Sequence, residues 1–542
     1  MQSTEPMEYD IVIVGLGPVG ALAGNLAGAA GFKTLIVERA DTPYLKPRAI
    51  VFDAEVMRIF NSVGLSENIA AATKPLEGSV YLGADRKPIR TFRTRPQAHG
   101  LEWRSTNLFY QPDLETILRA GLKRFANVTV LLEHEAGALR QDEASAHLVI
   151  RSLRDGQALE ASCAYLLACD GASSGIRKQL GIALDDIGFE ERWLVVDTLI
   201  DGPMRWPSAY EIPSEVRNNQ YSLMVCDPAR PSTLIPGVGR HRRWELMLLA
   251  GESDEDAVSD NRLRELIGLW IDPADVEIIR AAVYRFRALV AERWRAGRAF
   301  LMGDAAHQTP PFFGQGMCHG MRDAAQLLWR LKLVRDGLAD AGTLDEYQLE
   351  REPHVRAIIT ASVAAGAAVC KLDPVEAAKR DADFRAAEAA RGETTVAMAD
   401  VVPPLAQGLI DPRTGGARFP DFAVRAPNGE PQRLDDLLGG GFAIVTIMSE
   451  AAEHLPPRWR DLGARVLVVD DGNGVADVDG RLARWFAERE AHWAIVRPDR
   501  YVYATGVDIS DLASHVVHLL ERLHERRTAH DSPASRHTKT WG

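Results

Sequence analysis

The chain has 542 residues, 46% of them hydrophobic and 25% charged, which is enough to bury sizeable cores and too long for one compact domain, so two or three domains are expected. Its formal net charge of -12 argues against a nucleic-acid-binding surface, which needs clustered Lys and Arg, and makes a small molecule the better default partner. Five cysteines (Cys163, Cys169, Cys226, Cys318, Cys370) show neither CxxC spacing nor a nearby His pair, so neither a disulfide framework nor a metal site is expected and a reducing cytoplasm fits.

The first element could mislead a hydropathy scan, because Ile11 to Ala30 is apolar apart from Asn25 and has the length of a bilayer span. Glu5, Glu8 and Asp10 precede it where a signal peptide carries positive charge, and six glycines and prolines from Gly15 to Gly28 punctuate it. A buried strand, a tight turn and a helix explain it better, with no membrane role. Tyr9 to Val14 is a β-branched run suited to a parallel strand covered on both faces. Gly15-Leu16-Gly17-Pro18-Val19-Gly20 follows directly. In a Rossmann-type unit the first glycine permits the turn, the second lets backbone approach a pyrophosphate, and the third lets helix and strand pack closely. A helix starting near Pro18 would point its positive end at the phosphates. The second strand, Thr34 to Val37, ends in Glu38, followed by Arg39, and places the carboxylate where a ribose is usually held. Strand, helix and acid together favour dinucleotide binding and leave FAD and NAD(P) both open.

Further on, Ala164-Tyr165-Leu166-Leu167-Ala168-Cys169-Asp170-Gly171 is an apolar strand running into an Asp-Gly turn. Arg298-Ala299-Phe300-Leu301-Met302-Gly303-Asp304-Ala305-Ala306-His307 repeats the pattern with Gly-Asp. Pro310-Pro311 and Gly314-Gln315-Gly316-Met317 then open a helix-like stretch through Trp329. The order of the three motifs is far more specific than any one of them.

On these motifs the first 390 or so residues resemble the class A flavoprotein monooxygenases, the group of para-hydroxybenzoate hydroxylase and phenol hydroxylase. Lys46-Pro47-Arg48-Ala49, Phe189 to Asp197, the Gly-Gln-Gly-Met turn and Arg497-Pro498-Asp499-Arg500-Tyr501-Val502 look most like the 3-(3-hydroxyphenyl)propionate hydroxylase branch. The resemblance implies an α/β fold with a Rossmann-type FAD-binding domain and an inserted β-sheet substrate domain. It implies that Glu38 holds the adenosine ribose, Asp304 the ribityl chain, and Arg48 and Gln111 the flavin and its linker. Asp170 would serve both FAD and the visiting nicotinamide. Arg48 as a surface cation and Gln111 as a cap for the helix of Asp113 stay open as alternatives.

The implied chemistry is reduction of FAD by NADH or NADPH, addition of O2, and delivery of OH from a flavin C4a-hydroperoxide to a phenolic aromatic acid, ortho to an existing hydroxyl, in aromatic catabolism. The protein must then supply a dry pocket, orientation and electrostatics. Pro311, Gly314, Gln315, Gly316 and Met317 suit this, since backbone amides at a helix start stabilise negative charge on a reduced flavin. Asp53 resembles an active-site aspartate of phenol hydroxylase, and equally reads as a helix N-cap before Ala54. His307 is typical of the family after Gly-Asp-Ala-Ala and reads more readily as structural than catalytic. For a substrate carboxylate, Arg285 and Arg287 are candidates because strand alternation puts both on one face, with Tyr284 beside them. A solvated arginine pair is the competing reading.

The domains expected are an FAD-binding first part at 1–185 with a substrate-domain excursion near 76–105, a β-rich substrate domain at 186–290, a second FAD-binding part with connecting helices at 291–400, and a C-terminal domain at 401–525. Strands and helices alternate in the last of these, which resembles the thioredoxin-like C-terminal domain of the phenol-hydroxylase group. It carries no cysteine, so thiol chemistry is excluded there and a packing or oligomer-contact role remains, a homodimer being the assembly it would serve. The tail at 526–542 is expected to be disordered. Competing functions are another flavin oxidoreductase on this frame, a non-catalytic FAD-binding sensor, and a plain NAD-dependent dehydrogenase. No halogenase WxWxIP signature is present.

Overall fold

The computed structural model describes residues 7–43, 48–98, 100–392, 395–396, 401–470 and 474–525. Lys46 and Pro47 of the arginine-bearing motif, and the tail from 526, lie outside the described residues. The chain divides into two compact units, Met1–Ala325 with Glu352–Pro403, and Gln326–Arg351 with Pro404–Gly542.

In the first unit, the segment that mimicked a membrane span is broken at Gly15–Gly17 into strand Met7–Val14 and helix Pro18–Ala29. Ile11, Val12 and Ile13 are completely buried, as a central parallel strand requires. It lies between Ala158–Ala168 and Thr34–Glu38, both parallel to it, with Ala299–Leu301 and Val128–Leu132 extending the parallel sheet on either side. The three motif segments therefore leave the carboxyl ends of three adjacent strands. Main-chain bonds keep those ends level: Cys169 N donates to Val14 O (2.8 Å) and Met302 N to Ala168 O (3.0 Å). In open parallel sheets such ends form the ligand crevice.

The second sheet of this unit has nine strands and is built around two long ones, Leu184–Ile200 and Val276–Ala291, with Gly78–Leu82 and Pro88–Thr94 joining it from the earlier excursion. Its two faces differ. Leu194, Val196, Trp244 and Leu246 pack under helix Asp260–Gly268 through Leu263 and Ile267. The other face carries Trp193, Val195 and Asp197, paired across the ladder with Met247, Glu245 and Arg243, and with Tyr284, Ala282 and Arg280. Apolar residues alternate with charges on this buried wall, which is costly unless the charges are partnered, as Asp197 is by Arg243 and His241.

The second unit holds a four-stranded sheet in which Ala443–Thr446 is parallel to Arg465–Val468 and antiparallel to Trp493–Val496, which in turn pairs with Val502–Gly506. The position after the first strand carries Ile447-Met448-Ser449-Glu450. Residues 326–351, which the sequence pattern groups with the preceding FAD-binding segment, cluster here because Trp329 and Leu333 share a core with Phe442, Trp459 and Trp493. Helical periodicity tells which face is apolar, not which core receives it. Among the described residues no single helix is long and apolar enough to cross a membrane.

Candidate active site

The three glycines of the loop have three different surroundings. Gly15 has φ +99°, and a Cβ on it would meet Cys169 O at 2.4 Å. A Cβ on Gly20 would meet Gly15 O at 2.0 Å, whereas one on Gly17 would meet nothing within 4 Å. The loop is tight on the protein side and open on the other. Gly17 caps helix Pro18–Ala29 without any side-chain hydrogen bond and no acid stands in its first turn, so the helix start is left for an anion. Glu38 Oε2 accepts Leu16 N at 2.7 Å and Oε1 accepts Ala40 N at 2.9 Å, which fixes the carboxylate against the loop while each oxygen retains a lone pair. Arg39 beside it is exposed.

At the second strand end, Asp170 Oδ2 accepts Ile176 N (3.1 Å), and its Oδ1 is buried without a partner. At the third, Asp304 is solvent-accessible yet walled closely enough that desolvation raises its pKa, an effect His307 and Arg48 oppose. It makes no hydrogen bond among the described residues. Two carboxylates with unused acceptors facing a crevice await donor hydroxyls.

His307 is fully buried and shares Asp323 Oδ2 (2.7 Å) with Gly303 N (3.0 Å). It fixes the turn that presents Asp304, away from any solvent-accessible position. Asp53 is also fully buried: Oδ1 caps helix Ala54–Ser62 by accepting Val56 N (3.1 Å), and Oδ2 is ion-paired with Arg322, which also holds Glu55 (2.7 Å) and Gln315 Oε1 (3.1 Å). The buried arginine thus ties Gln315, at the start of helix Gly316–Arg335, to Asp53. Gln111 is the first residue of its helix rather than its cap; its Oε1 accepts Arg48 N (2.7 Å) and Ala49 N (2.8 Å), and its Nε2 donates to Glu115 (2.7 Å). It shapes the Arg48 segment, leaving that side chain exposed.

In the loop before helix Gly316–Arg335, Pro311, Gly314, Gly316 and Met317 are half-buried, and Gly314 takes φ +63° with Val51 against it. Phe312 meets Trp193 and Phe286 of the second sheet edge-on, with ring centroids 6.1 and 6.4 Å away. Arg243 Nη1, from the same sheet face, donates to Arg48 O at 2.5 Å. The sheet face therefore spans from the Arg48 segment to the Phe312 loop. Tyr284 lies on it, with Arg280 over its ring at 4.6 Å. Arg285 and Arg287 do not. Their register partners are Arg192 and Glu190, on the opposite face, where they are 52% and 43% exposed and both pair with Glu190. Alternation put the two on one face, and that face looks outward.

The same wall holds groups that sequence reasoning passed over. Asp197 accepts from Arg243 Nε (2.8 Å) and pairs with His241 (2.8 Å) and Arg280 (3.6 Å); burial works against its charge, but Arg243 and His241 hold it below the ordinary carboxylate range. The signal available was Arg243-Trp244-Glu245-Leu246-Met247, acid and base alternating with core residues in one strand.

Residues 8–362 match the family model of an FAD binding domain, and 416–522 that of the HcaD C-terminal domain. The chain belongs to the FAD-dependent aromatic hydroxylases. Among relatives of this hydroxylase, a probable NADH-specific resorcinol 4-hydroxylase of Rhodococcus jostii is 32% identical over 93% of both chains. A 3-(3-hydroxy-phenyl)propionate/3-hydroxycinnamic acid hydroxylase of Escherichia coli is 32% identical over 92% of both. The fold is that of the flavin-dependent monooxygenase PieE, solved with FAD and substrate (TM-score 0.79, 23% identity, 96% of this chain and 100% of that one), and of aklavinone-11 hydroxylase (0.76, 22%, 96% and 100%). FAD fits the residues present: the open backbone at Gly17, the uncapped helix start, and the unused acceptors of Asp170 and Asp304 are complementary to pyrophosphate and hydroxyls.

Proposed function

We propose that this hydroxylase uses NADH or NADPH and O2 to add a hydroxyl group to a phenolic substrate, ortho to the hydroxyl already there. The observation that carries the reading is the charged, aromatic-lined sheet face reaching from the Arg48 segment to the Phe312 loop, beside strand ends suited to FAD. The bound flavin supplies the electron transfer and oxygen chemistry. The chain supplies the rest. Glu38 and Asp304 accept ribose and ribityl hydroxyls, the helix start at Gly17 takes the pyrophosphate, and Asp170 stands where a visiting nicotinamide nucleotide also reaches. Trp193, Phe286 and Phe312 pack together and exclude water from that end of the wall.

Relatives of equal identity act on resorcinol and on a hydroxyphenyl-propionate, so a phenol is the shared feature. Arg285 and Arg287 are turned outward, so the carboxylate of a phenolic acid would be met by another cation, Arg243 and Arg280 being those on the wall. Five free cysteines agree with a reducing cytoplasm.

The purified protein, expected to be yellow, is supplied with NADH or NADPH in air and screened with resorcinol, simple phenols and 3-(3-hydroxyphenyl)propionate. Stimulated nicotinamide oxidation and a product heavier by one oxygen atom are expected. Stoichiometric peroxide with every phenol unchanged overturns the reading.

A further inference from the structure

Phenol hydroxylation is helped by removing the phenolic proton, and Asp53, the carboxylate the sequence offers for this, has both oxygens committed to Val56 N and Arg322. One other carboxyl on the functional wall is differently placed. Glu245 lies on strand His241–Met247 between Arg243 and Met247, all three on the same face. Arg243 touches the Arg48 segment, and Met247 belongs to the cluster of Trp193 against which Phe312 packs. Glu245 is thus midway between the two segments that flank the flavin in the reading above. Its neighbours across the ladder are Val195 and Thr233, neither of them charged.

Glu245 is 9% exposed, and its carboxyl makes no hydrogen bond among the described residues. The nearest cation, Arg243 Nη1, is 3.9 Å from Oε1, while Arg243 Nε and Nη2 are spent on Asp197. A carboxyl so enclosed and unbonded is costly in a finished core and ordinary in a site completed by a ligand.

We propose that Glu245 accepts the hydroxyl proton of the phenolic substrate. The O–H bond of the phenol breaks, the proton passes to a Glu245 carboxylate oxygen, and the electron pair left on the phenolic oxygen enriches the ring carbons ortho and para to it. This rests on the phenol-hydroxylase reading and gives that site its base.

The electrostatics suit the task. Burial pushes the Glu245 carboxyl up to about 7, Arg243 restrains the rise, and Asp197 from the adjoining strand adds to it. Arg243 and Asp197 are the charged groups that act on Glu245, and Asp197 is itself partnered by His241 and Arg280. A base titrating near neutrality takes a proton and gives it up again within a cycle.

The test uses the full-length FAD-loaded protein and its Glu245→Gln variant, with resorcinol and a ring-fluorinated phenol that ionises at lower pH. In the wild type, hydroxylation per bound flavin should rise with pH through about 7, because the ionised carboxylate is the acceptor. E245Q should retain flavin, lose roughly a hundredfold in hydroxylation of resorcinol, lose the rise near neutrality, and recover most of its rate with the fluorinated phenol. The ultraviolet difference spectrum of bound phenol should show phenolate in the wild type and neutral phenol in E245Q. Unchanged turnover per flavin and an unchanged pH profile in E245Q overturn the inference alone, and so does a loss traceable only to flavin content or stability. A wild type that hydroxylates no phenol overturns the functional reading, and this inference with it.

Discussion

Two carboxylates, Asp304 in the first unit and Glu350 in the second, sit within walls of protein and are treated in opposite ways. Asp304 has no hydrogen-bond donor among the described residues, and desolvation raises its pKa. Glu350 is completely buried, yet Arg497 grips both its oxygens (2.7 and 2.8 Å), and Arg330, Gln326 Nε2 and Leu409 N complete the shell at 2.7–2.8 Å. Burial alone would lift its pKa, but Arg330 and Arg497 hold it down to about 2. Desolvation works to raise both, and only Glu350 has partners that oppose it through hydrogen bonds. A saturated buried charge is structure, and an unsaturated one in a crevice is an address for a ligand.

Removing the saturated charge should have the largest effect. Glu350→Ala leaves Arg330 and Arg497 buried without their counter-ion, a defect that costs about 3–5 kcal/mol. Denaturant melts monitored by tryptophan fluorescence should show the second unit unfolding early; an unshifted midpoint would mean that Glu350 does not hold the second unit together. The wild type carries a pH signature of the same origin. Because the folded pKa is below the ordinary 4.5, the stabilisation is present above that value and fades as pH falls toward 2.

Asp304→Ala should do the reverse. With no intramolecular bond to lose, the flavin-free fold should keep its stability within about 0.5 kcal/mol. FAD retention should weaken by roughly 10–100-fold, the equivalent of about 1.5–3 kcal/mol for a charged hydrogen bond. Flavin content after gel filtration, beside a melt of the stripped protein, separates the two quantities. Full flavin occupancy in D304A would end the ligand role of this carboxylate.

The contrast also explains what could be read from the sequence. Gly15, Gly17, Gly20, Glu38, Asp170 and Asp304 were legible because each follows a strand end, and local spacing fixes its place on the crevice. Arg497-Pro498-Asp499-Arg500-Tyr501 was legible as a motif though not as a role: it turns between strands Trp493–Val496 and Val502–Gly506 so that Arg497 reaches Glu350, 147 residues away in sequence. Asp53, His307 and Gln111 were singled out without their partners, since Arg322, Asp323 and the amides of Arg48 and Ala49 reach them only through the fold. Glu245 was hidden more deeply. Alternation in Arg243-Trp244-Glu245-Leu246-Met247 separates two faces, and only the ladder shows which of them is the wall.

The smallest expected effect concerns the arginines on the other side of that ladder. Alternation places Arg285 and Arg287 together but is silent on direction, and their pairing with Glu190 occurs in solvent, where such bridges contribute about 0–1 kcal/mol. If the wall bearing Trp193, Glu245 and Tyr284 is the substrate face, Arg285→Ala and Arg287→Ala should shift the melting midpoint by a degree or two at most, in line with about 0.5 kcal/mol. They should leave KM for phenols with and without a carboxylate side chain unchanged. A tenfold rise in KM confined to the carboxylate-bearing phenols would bring these arginines back into recognition, and would mean that the substrate reaches around the sheet edge to the face turned away from the flavin crevice.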